Sequence, residues 1–148
     1  MESAALERIL VGVDGSEASV EALQRARQLA EPFGAEIQAV TCWEYPQLYD
    51  GYVTIKPEDF ADAASHRMDD ALAKAFGTEV PRNVSARTEE GNPKSVLTDL
   101  SRSADMLVVG RRGHSTMAGQ VFGSVSSYCS AHASCPVLVV HVPDAARR

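Results

Sequence analysis

No run of about 18 consecutive apolar residues occurs in this 148-residue chain, which argues against a membrane-spanning helix. Basic residues are outnumbered, 14 Lys and Arg against 20 Asp and Glu, and the net charge of −6 disfavours binding a polyanion by bulk electrostatics. Neither nucleic acid nor membrane is therefore expected as a partner. Cysteine is sparse and odd in number: Cys42, Cys129 and Cys135 fit a reducing compartment better than a stapled framework, so a cytoplasmic location is expected. Glu2 and the lack of a basic stretch ahead of an apolar run argue against a secretory leader. G-x-x-x-x-G-K-[ST] and G-x-G-x-x-G are both missing, which removes the P-loop NTPases and the usual dinucleotide site. The nucleophile elbow G-x-S-x-G is also missing, and with it the commonest serine-hydrolase reading. No internal repeat or low-complexity segment is found.

What is present suits one domain over residues 1–148, with 45% hydrophobic content and length enough for one sizeable core. Arg8 to Asp14 contains the apolar run Ile9-Leu10-Val11-Gly12-Val13, which predicts a strand buried on both faces. Glu17 to Phe33 follows with Val20, Leu23, Ala26, Ala30 and Phe33 at helical spacing, Ser16 as N-cap and Gly34 as stop. A strand is predicted at Glu36 to Trp43, then an irregular stretch from Glu44 to Pro57, then a helix from Glu58 to Phe76 with Phe60, Ala64, Met68, Ala71 and Ala75 on one face. Asn83 to Thr88 alternates as a strand near a sheet edge does, and Asn92-Pro93 opens a short helix bearing Val96, Leu97 and Leu100. Met106 to Val109 is a second fully apolar strand, a helix runs from Ser124 to His132, and Val137 to Val142 is the last strand. This alternation predicts an α/β fold: a doubly wound, mostly parallel sheet of about five strands flanked by helices, Rossmann-like in architecture.

Ligands of such sheets bind beyond the carboxyl ends of the strands, where strand order reverses. Asp14 lies at the end of the first strand, Cys42 at the end of the second, and Gly110 at the end of the fourth. Gly110 is followed by Arg111-Arg112-Gly113-His114 and later by Gly123-Ser124-Val125-Ser126 at a helix start. Glycines let backbone approach phosphate, free N–H groups at a helix start point at an anion, and the two arginines put local positive charge into an acidic protein. The bland alternative is turn chemistry, with Ser124 merely capping the helix. Read on residues alone, the loop supports anion binding and no more.

Three stretches resemble one family throughout: Arg8-Ile-Leu-Val-Gly-Val-Asp14-Gly-Ser16 at the start, Glu90-Gly-Asn-Pro with Ala104-Asp105 in the middle, and Gly110-x-x-Gly113, nine residues, Gly123-Ser124 followed by Cys135-Pro136-Val137 near the end. Together they resemble the universal stress protein family, in the subgroup whose split glycine motif marks ATP binding. The resemblance implies an adenine nucleotide alpha hydrolase-like fold and a nucleotide-dependent regulatory or stress-response factor with ATP as ligand, with or without Mg²⁺. It also implies roles. Asp14 approaches the ribose and a metal, the Cys42 backbone reads the adenine edge, Gly110 lines the ribose side, and Gly113, Gly123, Ser124, Val125 and Ser126 cradle phosphate. Gly12, Val13, Val109 and Arg112 complete the expected set. Arg111-Arg112 stands where the family often has Ser-His. A homodimer through the strand Val137 to Val142 is implied as well.

Two rival functions keep this fold: a slow ATP hydrolase or self-phosphorylating protein using Asp14 with Mg²⁺ and Ser124 or Ser126, and a cAMP-binding member. No catalytic residue is assigned. Cys129, His132 and Cys135 form C-x-x-H-x-x-C, but Cys135 next to Pro136 lies past the expected helix end and no fourth ligand is evident, so no metal site is expected there.

Overall fold

The structure, a computed structural model, describes residues 5–45, 56–111 and 123–142. The chain order is β1 (Arg8–Gly12), α1 (Glu17–Ala30), β2 (Glu36–Trp43), α2 (Pro57–Phe76), β3 (Val84–Glu90), α3 (Pro93–Leu100), β4 (Met106–Gly110), α4 (Ser124–His132) and β5 (Val137–Val140), with 3₁₀ turns at Glu31–Phe33 and Ser101–Ser103. The five strands form one sheet in the order β3-β2-β1-β4-β5, and every pairing is parallel. The order runs leftward from β1 to β3, then jumps to β4 and continues rightward. Right-handed crossovers therefore place α1 and α2 on one face and α3 and α4 on the other.

Side-chain alternation along the strands builds two cores from this arrangement. Ile9, Val11, Ile37 and Val108 pack with Ala22, Leu23 and Ala26 of α1 and Met68 and Ala71 of α2. Leu10, Val40, Leu107 and Val109 face the other way, onto Leu97 of α3 and Cys129 of α4. Continuous apolar runs in β1 and β4 are what a central parallel strand, covered on both sides, requires. The outer strand β3, by contrast, is mostly exposed and carries Arg87, Glu89 and Glu90.

Polar contacts fix where the strands start and where the helices begin. Two backbone N–H groups converge on Asp105, whose Oδ2 accepts from those of Glu7 and Arg8, each at 2.9 Å, and so ties the start of β1 to the chain entering β4. The Ser16 hydroxyl accepts from the Ser19 N–H at 3.2 Å at the head of α1, and the Asn92 side chain accepts from the Lys94 N–H at 2.9 Å at the head of α3.

Several predicted boundaries shift. β1 ends at Gly12, leaving Asp14 in the connection, and β3 extends two residues further than expected, to Glu90. β5 stops at Val140 instead of Val142. The first helix stops at Ala30, because Pro32 has no N–H to continue the ladder, and the chain tightens into a 3₁₀ turn before Gly34 at φ 64°. That turn swings Phe33 off the predicted apolar face, and it stands 61% exposed. Most of the irregular stretch from Glu44 to Pro57 lies outside the described residues.

Candidate functional site

The connections leaving β1 and β4 diverge at the point where strand order reverses, and a cavity of about 300 Å³ opens there. Ten of the predicted positions line it: Gly12, Val13 and Asp14 after β1, Cys42 on β2, Val109 and Gly110 on β4, and Gly123, Ser124, Val125 and Ser126 at the head of α4. Arg112 and Gly113, the other two, lie outside the described residues, as does His114. Val40, Pro93 and Leu97 add apolar wall, and Ser19 and Arg67 add polar groups that sequence reasoning did not single out. Volume places the cavity at the lower end of ligand pockets, roughly 300–1,000 Å³.

The floor on the β1 side is pinned by Asp14. Its Oδ1 accepts from the Ser16 N–H at 2.9 Å and from the Ser16 hydroxyl at 2.5 Å, with Gly15 between them at φ 86°. The positive φ is why a glycine stands there. Asp14 is the only carboxylate lining the cavity among the described residues. No group of three or more His, Cys, Asp or Glu side chains that could hold a metal occurs among them either. One carboxylate plus ligand phosphates is the kind of set Mg²⁺ accepts, so Mg²⁺ fits here only as a companion of a polyphosphate.

The α4 side is built by backbone. Gly123, not Ser124, is the N-cap of α4, and no side chain caps the helix. Ser124 instead takes the first helical position. The Gly123 N–H donates to the Arg111 carbonyl, and the Arg111 N–H donates to the Val140 carbonyl at 2.6 Å, which holds the ends of β4, α4 and β5 together. The first N–H with a partner inside the helix is that of Ser127, donating to the Gly123 carbonyl at 3.0 Å. The N–H groups of Ser124, Val125 and Ser126 precede it, at the positive end of the helix dipole and on the cavity wall. Unlike α1 and α3, this helix offers its first-turn donors to whatever enters the cavity.

Two of these residues also have structural partners. Ser126 is buried, and its hydroxyl donates to the carbonyls of Arg111 at 3.1 Å and Gly123 at 3.0 Å. It secures the head of α4 and leaves the backbone as the donor. Gly110 lines the cavity as expected, yet a Cβ there would meet Ala18 Cβ at 2.7 Å and Ala18 backbone carbon at 3.0 Å. Its small size is required by the close approach of α1 to β4.

Burial sets the chemistry of the cysteines. Cys42 is pushed up to about 11, first by burial and then by the Glu89 and Glu44 carboxylates nearby. Burial, with Cys135 close by, does the same to Cys129, and it also raises Cys135. A rise from 9.0 to about 11 leaves about 100-fold less thiolate near neutral pH, so Cys42 and Cys129 should alkylate far more slowly than an exposed thiol. Both thiols are held neutral in the fold, so the stability they contribute is complete below pH 9.0 and is lost as pH rises toward 11. In iodoacetamide labelling read by peptide mass spectrometry, a ligand filling the cavity should slow Cys42 further and leave Cys135 unchanged. Equal labelling of Cys42 with and without such a ligand would contradict its placement in the site.

Sheet order, crossover pattern and a cavity at the switch point define a Rossmann-like α/β protein of ligand-binding build. The chain belongs to the universal stress protein family, whose profile matches residues 5–141. A universal stress protein of Mycobacterium tuberculosis is 34% identical over 146 residues, covering 93% of this chain and 97% of the relative. Among solved structures, a universal stress protein in complex with cAMP superposes with a TM-score of 0.71 at 29% identity, covering 95% of this chain and all of the other. The universal stress protein from Lactobacillus plantarum gives 0.72 at 25% identity, covering 93% and 99%. No helix among the described residues is long and apolar enough to cross a membrane.

Proposed function

We propose that this chain binds an adenine nucleotide, with ATP as the first ligand to test, in the cavity between β1, β4 and the head of α4. It acts as a nucleotide-dependent regulatory factor and not as an enzyme with sustained turnover. The observation that carries this reading is the uncapped first turn of α4 opening onto the cavity beside Asp14. The backbone donors suit phosphate, the carboxylate suits ribose hydroxyls, and the apolar wall of Val40, Pro93 and Leu97 suits a base. The hydroxyl of Ser126 is committed to carbonyls and Asp14 Oδ1 to Ser16, so neither of these two oxygens is open to activate a water.

A second reading, cAMP as the ligand, is favoured by the family member solved with cAMP at 29% identity. A thermal-shift titration with ATP, cAMP and GTP separates the two. Stabilisation by ATP at lower concentration than by cAMP, with none by GTP, is expected; the reverse order of ATP and cAMP would replace the ligand but keep the site.

We also infer a homodimer through residues 137–142. β5 is the outer strand on its side and carries Val137-Leu138-Val139-Val140 with no charge, whereas the opposite edge, β3, bears an Arg87–Glu89 ion pair at 3.2 Å. Uncharged edges pair with other strands and charged ones resist it. Light scattering on the eluting peak should give about 32 kDa, twice the 15.9 kDa chain. A monomer mass would overturn the assignment.

A further inference from the structure

We propose that Arg67 is the specificity-determining cation of the cavity, recognising the anionic part of the ligand so that affinity rises with its phosphate charge. This inference rests on the nucleotide reading above and sharpens it. Arg67 and Asp14 are the only charged side chains that line the cavity among the described residues. Arg111 is half-buried but is not among the lining residues, and every remaining arginine among the described residues except Arg67 is exposed.

The position in α2 explains how an arginine comes to be there. Residue 67 falls three after Ala64 and four before Ala71, both buried, so it shares the inward side of the helix. A half-buried guanidinium loses part of its hydration and ordinarily regains it through a carboxylate. Arg67 makes no ion pair among the described residues, although Asp70 stands three positions on. An anion in the cavity would supply that partner.

Direction of approach adds to the argument. α2 lies on the same face of the sheet as α1, and α4 lies on the opposite face. Arg67 and the first turn of α4 therefore line one cavity from opposite layers, and an anionic ligand between them is attracted by both. In an acidic chain of net charge −6, these are local sources of positive potential.

The test is calorimetric titration of wild type, Arg67→Gln and Arg67→Lys with adenosine, AMP and ATP, alongside the melting temperature of each unliganded protein. Arg67→Gln keeps two of the three stem methylenes and removes the charge. It should weaken ATP by about 10-fold or more, the size of a lost charge-assisted contact, and leave adenosine nearly unchanged. Arg67→Lys should keep most of the preference for ATP over adenosine. Equal loss for adenosine and ATP, or a lowered melting temperature accounting for the whole effect, would overturn the proposal in favour of a packing role. Unchanged ATP affinity in Arg67→Gln would overturn it alone and leave the nucleotide reading standing. If wild type binds none of the three ligands, both fall.

Discussion

Gly110→Ala is expected to destabilise the protein by about 2 kcal/mol, the usual size of an overpacking error in a tight core. The melting temperature should fall by about 4–8 °C. The added methyl would press on Ala18 Cβ at 2.7 Å and on its backbone, and neither can rotate away. Gly12→Ala makes the contrast. Its methyl would meet Leu97 Cδ1 at 2.8 Å, the far end of a flexible side chain, so the cost should stay below about 1 kcal/mol. Leu97 also lines the cavity, so the displacement should appear as weaker ATP binding instead of lost stability. Equal destabilisation by the two variants in a calorimetric melt would show that the β4–α1 approach has been misjudged.

Gly123→Val should act in the opposite sense, on binding more than on stability. Gly123 has φ −72° and ψ 161°, an extended backbone that valine adopts without strain, so the helix cap should lose at most about 1 kcal/mol. Its backbone lines the cavity, and an isopropyl group there keeps phosphate away from the donors of Ser124, Val125 and Ser126. Loss of one or two charge-assisted hydrogen bonds corresponds to about 100-fold in ATP affinity. Gly123→Ser, smaller and well suited to a cap, should lose far less. Unchanged ATP affinity in Gly123→Val, measured by calorimetric titration, would sink the phosphate-side assignment.

Much of this architecture is legible in the sequence because parallel strands and amphipathic helices leave different periods. Ile9 to Val13 and Met106 to Val109 read as doubly covered strands, and the pairing confirms them at the centre of the sheet. Asp14, Cys42 and Gly110 were placed together by one rule, that ligands sit where strand order reverses, and the structure brings them to one cavity. Part of what escaped had a local signature, and part had none. A proline inside a helical pattern shifted Phe33 to solvent, and only the three-dimensional approach of Ala18 shows why residue 110 is glycine. Arg67 sits within Ser65-His66-Arg67-Met68-Asp69-Asp70, which reads as an ordinary polar helix surface. Its role depends on the packing of α2 against β2, a contact that residue spacing does not encode.

The most direct test of nucleotide binding is native mass spectrometry of the purified protein before and after incubation with ATP. The account predicts one adenine nucleotide per chain, either co-purified or acquired on incubation, retained by wild type and lost in Gly123→Val. A bare chain mass in both conditions, from protein that melts cooperatively, would contradict it.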